Sequence, residues 1–473
     1  MDRVTIKQKI AAGCAALALG VFSPAMAAAD SLAAVLTDAY NNSGLLEQNQ
    51  ALLRAADEDV ASAVAALRPI ISWSGDVTHS RRRSSSAAPL LSPSSSSGTS
   101  ASLGLSADLL LYDGGRTPLQ AEIAKEVVLA TRQSLVSIEQ RVLFQALQAY
   151  IGIRTSSETV ALRQNNVNVI TEELRAAKDR FEVGEVTRTD VAQAEARLAQ
   201  ARAAFASAQG DLATSRETFI AAVGRKPGRL QAPPAAPATA NSMDAAKAIA
   251  LRSHPDVLAA QHNVTATDLQ VKVAELAVSP TINLRGNLGL TENFNSPDFS
   301  KSGSVSLSVS GPIYRGGQLD SARRRAIARR DAQRSNLHVT GLTVAQDAGT
   351  AFASLQVAKA AREASDRQVR FARVAFRGVR EEATLGARTT LDVLNAEQEL
   401  LDAQANLIST SGNEFLASYV LLANMGLLTA DHLKLRVTKY DPAAYYNLVK
   451  DAPVSISKQG QKLDHILKTL GKE

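Results

Sequence analysis

The spacing of hydrophobic positions along this chain changes in a set order, and the order occurs twice. Residues 31 to 67 put Leu32, Val35, Leu36 and Ala39 on one face of a helix, with Asp30 or Ser31 as cap and Pro69 as its end. The period then falls to two. Ile71, Trp73, Gly75 and Val77 alternate with Ser72, Ser74, Asp76 and Thr78, and Leu103, Leu105, Ala107 and Leu109 alternate with Ser102, Gly104, Ser106 and Asp108. This predicts a β-hairpin over 70–111, joined by a Ser- and Pro-rich loop at 84–100 that holds no core-forming residues. The second pass predicts helix over 243–278, a break at Pro280 and a hairpin over 281–311. There Ile282, Leu284, Leu288 and Leu290, then Val305, Leu307 and Val309, alternate with polar residues.

Each hairpin ends in a matched corner, Leu111-Tyr112-Asp113-Gly114-Gly115 and Ile313-Tyr314-Arg315-Gly316-Gly317. Helical periodicity then runs from about Arg116 to Phe181 and from about Gln318 to Ala383. At ~1.5 Å per residue either helix would reach roughly 100 Å, a length that implies lateral packing in a coiled coil. The return helices carry a seam at three-four spacing. It runs through Val191, Ala194, Leu198, Ala201, Phe205, Ala208, Leu212, Ser215 and Phe219, and again from Leu391 and Leu394 to Phe415, Tyr419 and Leu422. A plain antiparallel bundle and a channel wall share this periodicity.

The turn between long helix and return helix is the clearest repeated motif. Val183-Gly184-x-x-Thr187-x-x-Asp190-Val191 returns as Leu385-Gly386-x-x-Thr389-x-x-Asp392-Val393, and Gly224 matches Gly426 at the same offset. A repeat this long marks a duplicated unit. Glycine can end the incoming helix in a left-handed conformation, and threonine can cap the outgoing one with aspartate in its first turn. One copy would be ordinary turn chemistry; two, each joining very long helices, point to a functional tip. The expected partition is a signal peptide at 1–27, a first repeat at 28–224 with its tip near 184, and a linker at 225–242. A second repeat at 243–426 has its tip near 386, and a polar tail at 427–473 includes a short helix near Leu463 to Leu470.

Composition sharpens this picture. Of 473 residues 45% are hydrophobic but 4% aromatic, which favours long, closely packed helices over thick globular cores. Arg3, Lys7 and Lys9, the apolar run Ile10 to Phe22, and Ala25-Met26-Ala27 read as a secretory signal with its cleavage site. Cys14, the single cysteine, lies inside that signal, so no disulfide is expected in the mature chain. Ala11-Ala12-Gly13-Cys14 resembles a lipobox but lacks its leading leucine, and no lipid anchor is expected. The formal charge of +6 is mild and implies no nucleic-acid partner. No phosphate-binding glycine loop, metal-binding His-Glu-x-x-His or other catalytic constellation occurs, so neither an enzyme, nor a metal site, nor a cofactor is expected.

Four strands of about ten residues each suit a tilted crossing of a bilayer, and their polar faces of Ser, Asn, Asp and Arg suit a wet lumen. Four strands cannot close a barrel, so a membrane reading requires an oligomer. The paired tip signatures, the Pro69 and Pro280 breaks, the Tyr-x-Gly-Gly corners and the duplicated order together resemble the TolC family of outer-membrane efflux and secretion ducts. The resemblance covers nearly the whole mature chain. It implies a mainly α fold with a small β part, built as a homotrimer in the outer membrane of a Gram-negative cell. A 12-stranded β-barrel there continues into a periplasmic α-helical barrel. It also implies docking to a periplasmic adaptor (membrane fusion) protein and an inner-membrane ABC or proton-driven transporter. The cargo would be protein (type I secretion), small toxic compounds, or both. The lack of a convincing lipobox and the long tail favour protein secretion or a multipurpose duct. The competing class is a soluble periplasmic coiled-coil adaptor or scaffold.

By the same resemblance, Asp392 lies at the closed periplasmic constriction. Asn395 stands one turn on, where related ducts carry Asp, which halves the expected ring charge. Arg388 and Asp190 match positions that link inner and outer helices when the mouth is shut, and Ala383 replaces a tyrosine often found before the tip. Val183, Gly184, Thr187, Leu385, Gly386 and Thr389 are the expected adaptor contacts. The cluster Arg323, Arg324, Arg325, Arg329, Arg330 and Arg334 follows a strand corner and suggests anionic headgroups at the periplasmic face, with a solvated helix face as the alternative.

Overall fold

The structure, a computed structural model, describes residues 30–84, 94–235, 237–297 and 299–469. The expected signal segment 1–27 and most of the loop between the first two strands lie outside the described residues. The fold is mainly α-helical with a small sheet. Helices α1 (Leu32–Asn41) and α2 (Gly44–Ala65) lead into β1 (Ile70–Ser84) and β2 (Ser94–Tyr112), then α3 (Arg116–Glu182) and α4 (Arg188–Val223). The order recurs as α5 (Met243–Ser253), α6 (Pro255–Glu275), β3 (Thr281–Asn293), β4 (Phe299–Ser310), α7 (Gln318–Thr384) and α8 (Thr390–Asn424). Helices α9 (Pro442–Val449) and α10 (Lys458–Thr469) close the chain.

The duplication is written into the backbone. Among the described residues, eight glycines have positive φ, and they form four pairs at one spacing: Gly114 with Gly316, Gly115 with Gly317, Gly184 with Gly386, and Gly224 with Gly426. These are the strand corners, the tips and the ends of the return helices, where a β-carbon would oppose the turn. Helices α3 and α7 are each 67 residues long.

Both expected opening helices are interrupted. Ser43 starts α2 afresh, its Oγ accepting the Leu46 N–H at 3.2 Å. In the second repeat Pro255 at the first turn of α6 holds His254 in an extended conformation, which separates α5 from α6. Apolar spacing carries straight through such breaks, because a cap changes hydrogen bonding without disturbing the periodicity. Strand β2 also begins earlier than alternation suggests, with Ser94 to Ser97 pairing Ser84 to Arg81.

Two compact units emerge from the contacts. One holds Ala146–Ala235 and Val369–Gly412 with residues 30–39. Near the tips its core is Ile170, Leu174, Ala194, Leu198, Ala201 and Leu394, so the small residues of the seam are buried as their spacing requires. The segment after α4 is tied down rather than loose. Arg225 pairs with Asp30 at 2.9 Å and Asp38 at 2.8 Å, and the Tyr150 hydroxyl donates to the Gln231 carbonyl at 2.7 Å.

The other unit holds Tyr40–Gln145, Ala236–Gln368 and Asn413–Glu473. Its sheet is antiparallel in the order β1-β2-β3-β4, with one register shift between Leu110 and Tyr112. Cross-strand rows keep the two faces apart. Trp73, Leu105 and Leu288 share one row, and Ile71, Ala107, Gly286 and Val305 share the next. The opposite face carries Ser72, Ser106, Asn287 and Ser304, together with an Arg285–Asp108 ion pair. The apolar face is bare: Trp73 is 77% and Val305 79% exposed. The tail, expected to be polar, is packed here. Tyr445 and Val449 of α9 and Leu463 of α10 bury against Ala61 of α2, and the Tyr445 hydroxyl donates to Glu58 at 2.7 Å.

Candidate functional site

The tip motif resolves into two pieces of local chemistry. At the end of α3, Gly184 adopts a φ of 83°, its N–H bonds the Phe181 carbonyl at 3.0 Å, and the Glu185 N–H bonds Arg180 at 2.9 Å. This pattern satisfies the orphan carbonyls of a helix end. Thr187 and Asp190 then cap α4 reciprocally. The Thr187 N–H and hydroxyl donate to Asp190 Oδ2 at 2.8 and 2.7 Å, and the Asp190 N–H donates to Thr187 Oγ1 at 3.3 Å. The second tip repeats this closely. Gly386 has a φ of 77°, and Thr389 donates to Asp392 Oδ2 at 3.0 Å (N–H) and 2.8 Å (hydroxyl), with 3.2 Å for the return bond.

The electrostatics follow from these bonds. Hydrogen bonds from Thr389, backbone first, hold the Asp392 carboxyl below its ordinary range, with Arg388 adding a smaller effect. Bonds from Thr187, the hydroxyl first and then the backbone N–H, do the same for Asp190. Arg388 is raised, chiefly by its bond from Nε to Glu382 at 2.8 Å. Both carboxylates are therefore ionised at neutral pH and engaged by their own turns.

The two tips lie side by side within one compact unit and enclose a cleft of about 720 Å³. The first tip lines it with Arg180, Glu185, Val186, Thr187 and Asp190, and the second with Ala383 to Thr390 and Asp392. Two apolar side chains stand out at matched positions: Val183 is 72% and Leu385 85% exposed. Exposed aliphatic knobs on a polar turn offer a contact surface with little self-burial to lose.

Among the described residues, the Arg388 ion pair is with Glu382 of its own hairpin, and Asp190 bonds Thr187. The link across the tips runs elsewhere. Arg197 of α4 donates to Asn395 Oδ1 of α8 at 3.2 Å, and Arg380 of α7 pairs with Glu173 of α3 at 3.3 Å. Deeper, Asn166 of α3 donates to Glu397 of α8, which is buried. Sequence reasoning singled out Asn395 but none of its hydrogen-bond partners. No local spacing signals Arg197, Glu173, Arg380 or Asn166. The basic cluster of α7 is partly neutralised within its unit: Arg323 pairs with Glu275 at 3.2 Å, Arg330 with Asp331 at 2.8 Å, and Arg334 with Asp268 at 3.0 Å. Among the described residues no group of His, Cys, Asp and Glu is arranged to hold a metal, and no helix is long and apolar enough to cross a membrane.

Comparison with known proteins accounts for this architecture. The profile of the outer membrane efflux protein family matches residues 35–225 and 248–425. The outer membrane efflux protein BepC of Brucella suis is 34% identical over 446 residues, 94% of this chain and 96% of its own length. The alkaline protease secretion protein AprF of Pseudomonas aeruginosa is 25% identical over 60% of this chain and 61% of its own. The crystal structure of the Campylobacter jejuni CmeC outer membrane channel superposes with a TM-score of 0.72 at 17% identity, covering 89% of this chain and 90% of that one. The chain therefore belongs to the outer membrane efflux protein family, whose members are channels of the Gram-negative outer membrane.

Proposed function

We propose that this protein is the outer-membrane exit duct of a tripartite export system, working as a homotrimer whose three sheets join into a 12-stranded barrel. One observation carries the reading: a four-stranded sheet with a bare, largely apolar face and both edge strands, β1 and β4, unpaired among the described residues. Leaving a large apolar side chain in water forgoes about 1.5–3 kcal/mol, and Ile71, Trp73, Val77, Leu288, Val305, Leu307 and Val309 all stand exposed. Lipid removes that cost, but only if the edges close on other copies, since unpaired strand edges cannot lie in hydrocarbon. Exposed Val339, Leu342, Val357, Phe371 and Val374 on α7 call for a neighbouring chain as well.

The paired tips are the periplasmic mouth in this reading. Val183, Gly184, Thr187, Leu385, Gly386 and Thr389 offer the contact to a periplasmic adaptor, with energy supplied by an inner-membrane ABC or proton-driven transporter. Asp392 and Asn395 line the constriction, and Arg388 and Asp190 brace it through their own turns. The uncommitted arginines of α7 face anionic headgroups at the periplasmic leaflet. Efflux and secretion are both represented among the similar proteins, through BepC and AprF by name, and the duct is read as serving small compounds, secreted protein, or both. The protein supplies a path and no chemical step.

Single-channel conductance in planar bilayers tests this, comparing the wild type with the double variant Asp392→Ala, Arg388→Ala. Small openings that widen severalfold in the variant are expected. Large steady openings in both would keep the duct and remove the gate. Protein that stays in solution without detergent and conducts nothing would end the duct reading.

A further inference from the structure

Along β1 the apolar face changes character abruptly. Ile71, Trp73 and Val77 give way, at the same two-residue step and therefore on the same face, to His79, Arg81 and Arg83. Arg82 falls on the opposite, serine-lined face. In backbone register the basic residues pair with Thr99, Ser97 and Ser95, and His79 Nδ1 lies 2.9 Å from Thr99 Oγ1. Arg81 and Arg83 are exposed, and among the described residues neither has a carboxylate partner. The described strands carry one acid on this face, Glu292 of β3, which shares the row of Val77 and Ala101, below the arginines.

Position gives the stripe its meaning. From Ile71 to Val77 the strand rises about 20 Å, so the arginines begin where the apolar band ends, at the hairpin-loop end of the sheet and away from the helices. Taken with the membrane-spanning reading above, on which this inference rests, that level on the lipid-facing side is the headgroup region of the outer leaflet. Guanidinium groups fork onto phosphate oxygens with two parallel bonds. We propose that His79, Arg81 and Arg83 form a docking stripe for the phosphates of an outer-leaflet glycolipid. Because β1 is an edge strand, the stripe lies at the seam between copies. The other edge strand, β4, carries Lys301 on the same face but in the row of Gly75, Leu103 and Leu290, about 20 Å along the strand from Arg81, its ammonium 5.5 Å from the Phe299 ring centroid. A glycolipid bound on this edge strand would sit over the seam and favour the assembled oligomer.

The test is thermal dissociation of the purified full-length oligomer in detergent, with diphosphorylated lipid A, dephosphorylated lipid A or inorganic phosphate added. Diphosphorylated lipid A is expected to raise the dissociation temperature of the wild type. That shift should vanish in Arg81→Ser, Arg83→Ser and persist in Arg82→Ser, whose side chain sits on the lumen face. Lipid A affinity should fall ~10-fold or more in the double variant, as expected for losing charge-assisted bonds. An equal shift from inorganic phosphate or dephosphorylated lipid A, or a shift that survives the double variant, would overturn the assignment. The same preparations are assayed for conductance. Channels that conduct but show no lipid shift remove this inference alone, whereas protein that never conducts removes the membrane reading with it.

Discussion

The two helical hairpins use one turn and differ behind it. At the tips the cap bonds agree within a few tenths of an ångström, Thr187–Asp190 in one and Thr389–Asp392 in the other. Further along the return helices the matched positions Glu195 and Glu397 have parted company. Glu195 stays half-exposed and pairs with Lys178 at 2.9 Å. Glu397 is 7% exposed, and Asn166 donates to it from α3. Duplication preserves chemistry that a turn completes by itself. It releases positions whose environment depends on which helix packs alongside, so the charged seam of one hairpin becomes the buried polar lock of the other.

The largest expected effect lies in that lock. Asn166→Leu leaves a buried carboxylate without its donor and should cost about 2–3 kcal/mol locally, read by hydrogen exchange in α3 and α8 near these residues. A loss below ~0.5 kcal/mol would mean that Glu397 reaches water and the contrast with Glu195 is false. Burial raises the Glu397 carboxyl above its ordinary value, with Asp402 and Glu173 adding to the rise and Asn166 and Arg163 opposing it. Its folded form thus holds a proton more tightly than its unfolded form. Local stability should therefore fall as pH climbs from the ordinary glutamate range through the raised value. Glu397→Gln keeps the shape, removes the charge and should flatten that pH dependence, while Glu195→Gln should leave it unchanged.

Chain locality explains what could be read in advance. The glycine turn, the threonine cap and the aspartate three residues on complete their bonds within a few positions, and the alternation of the strands fixes which side chains share a face. The tips, both hairpins and the two long helices were therefore legible. Asn166 and Glu397 stand 231 residues apart, and no spacing rule joins them. Arg197 and Asn395 are joined only by the packing of α4 on α8. The packing of the tail was not legible for a related reason. Tyr445, Val449 and Leu463 are few among polar neighbours, and they form a core only once α2 supplies the opposing face.

Smaller effects sharpen the comparison at the tips. Thr187→Ala and Thr389→Ala each remove the hydroxyl half of a capping box, leaving the backbone N–H on its aspartate, and should cost about 1 kcal/mol of local stability, equally in the two hairpins. In exchange experiments both variants should fray the first turns of α4 and α8 to the same extent. A difference greater than ~1 kcal/mol would mean that one cap is reinforced from outside its own turn. The smallest effect belongs to Lys178→Ala. Both partners of the Lys178–Glu195 pair are about half exposed, so Coulomb gain, side-chain ordering and salt screening nearly cancel. The expected loss is about 0–0.5 kcal/mol and should disappear at high salt. A larger, salt-insensitive loss would show Glu195 desolvated like its counterpart, and the two hairpins would then differ in partners rather than in burial.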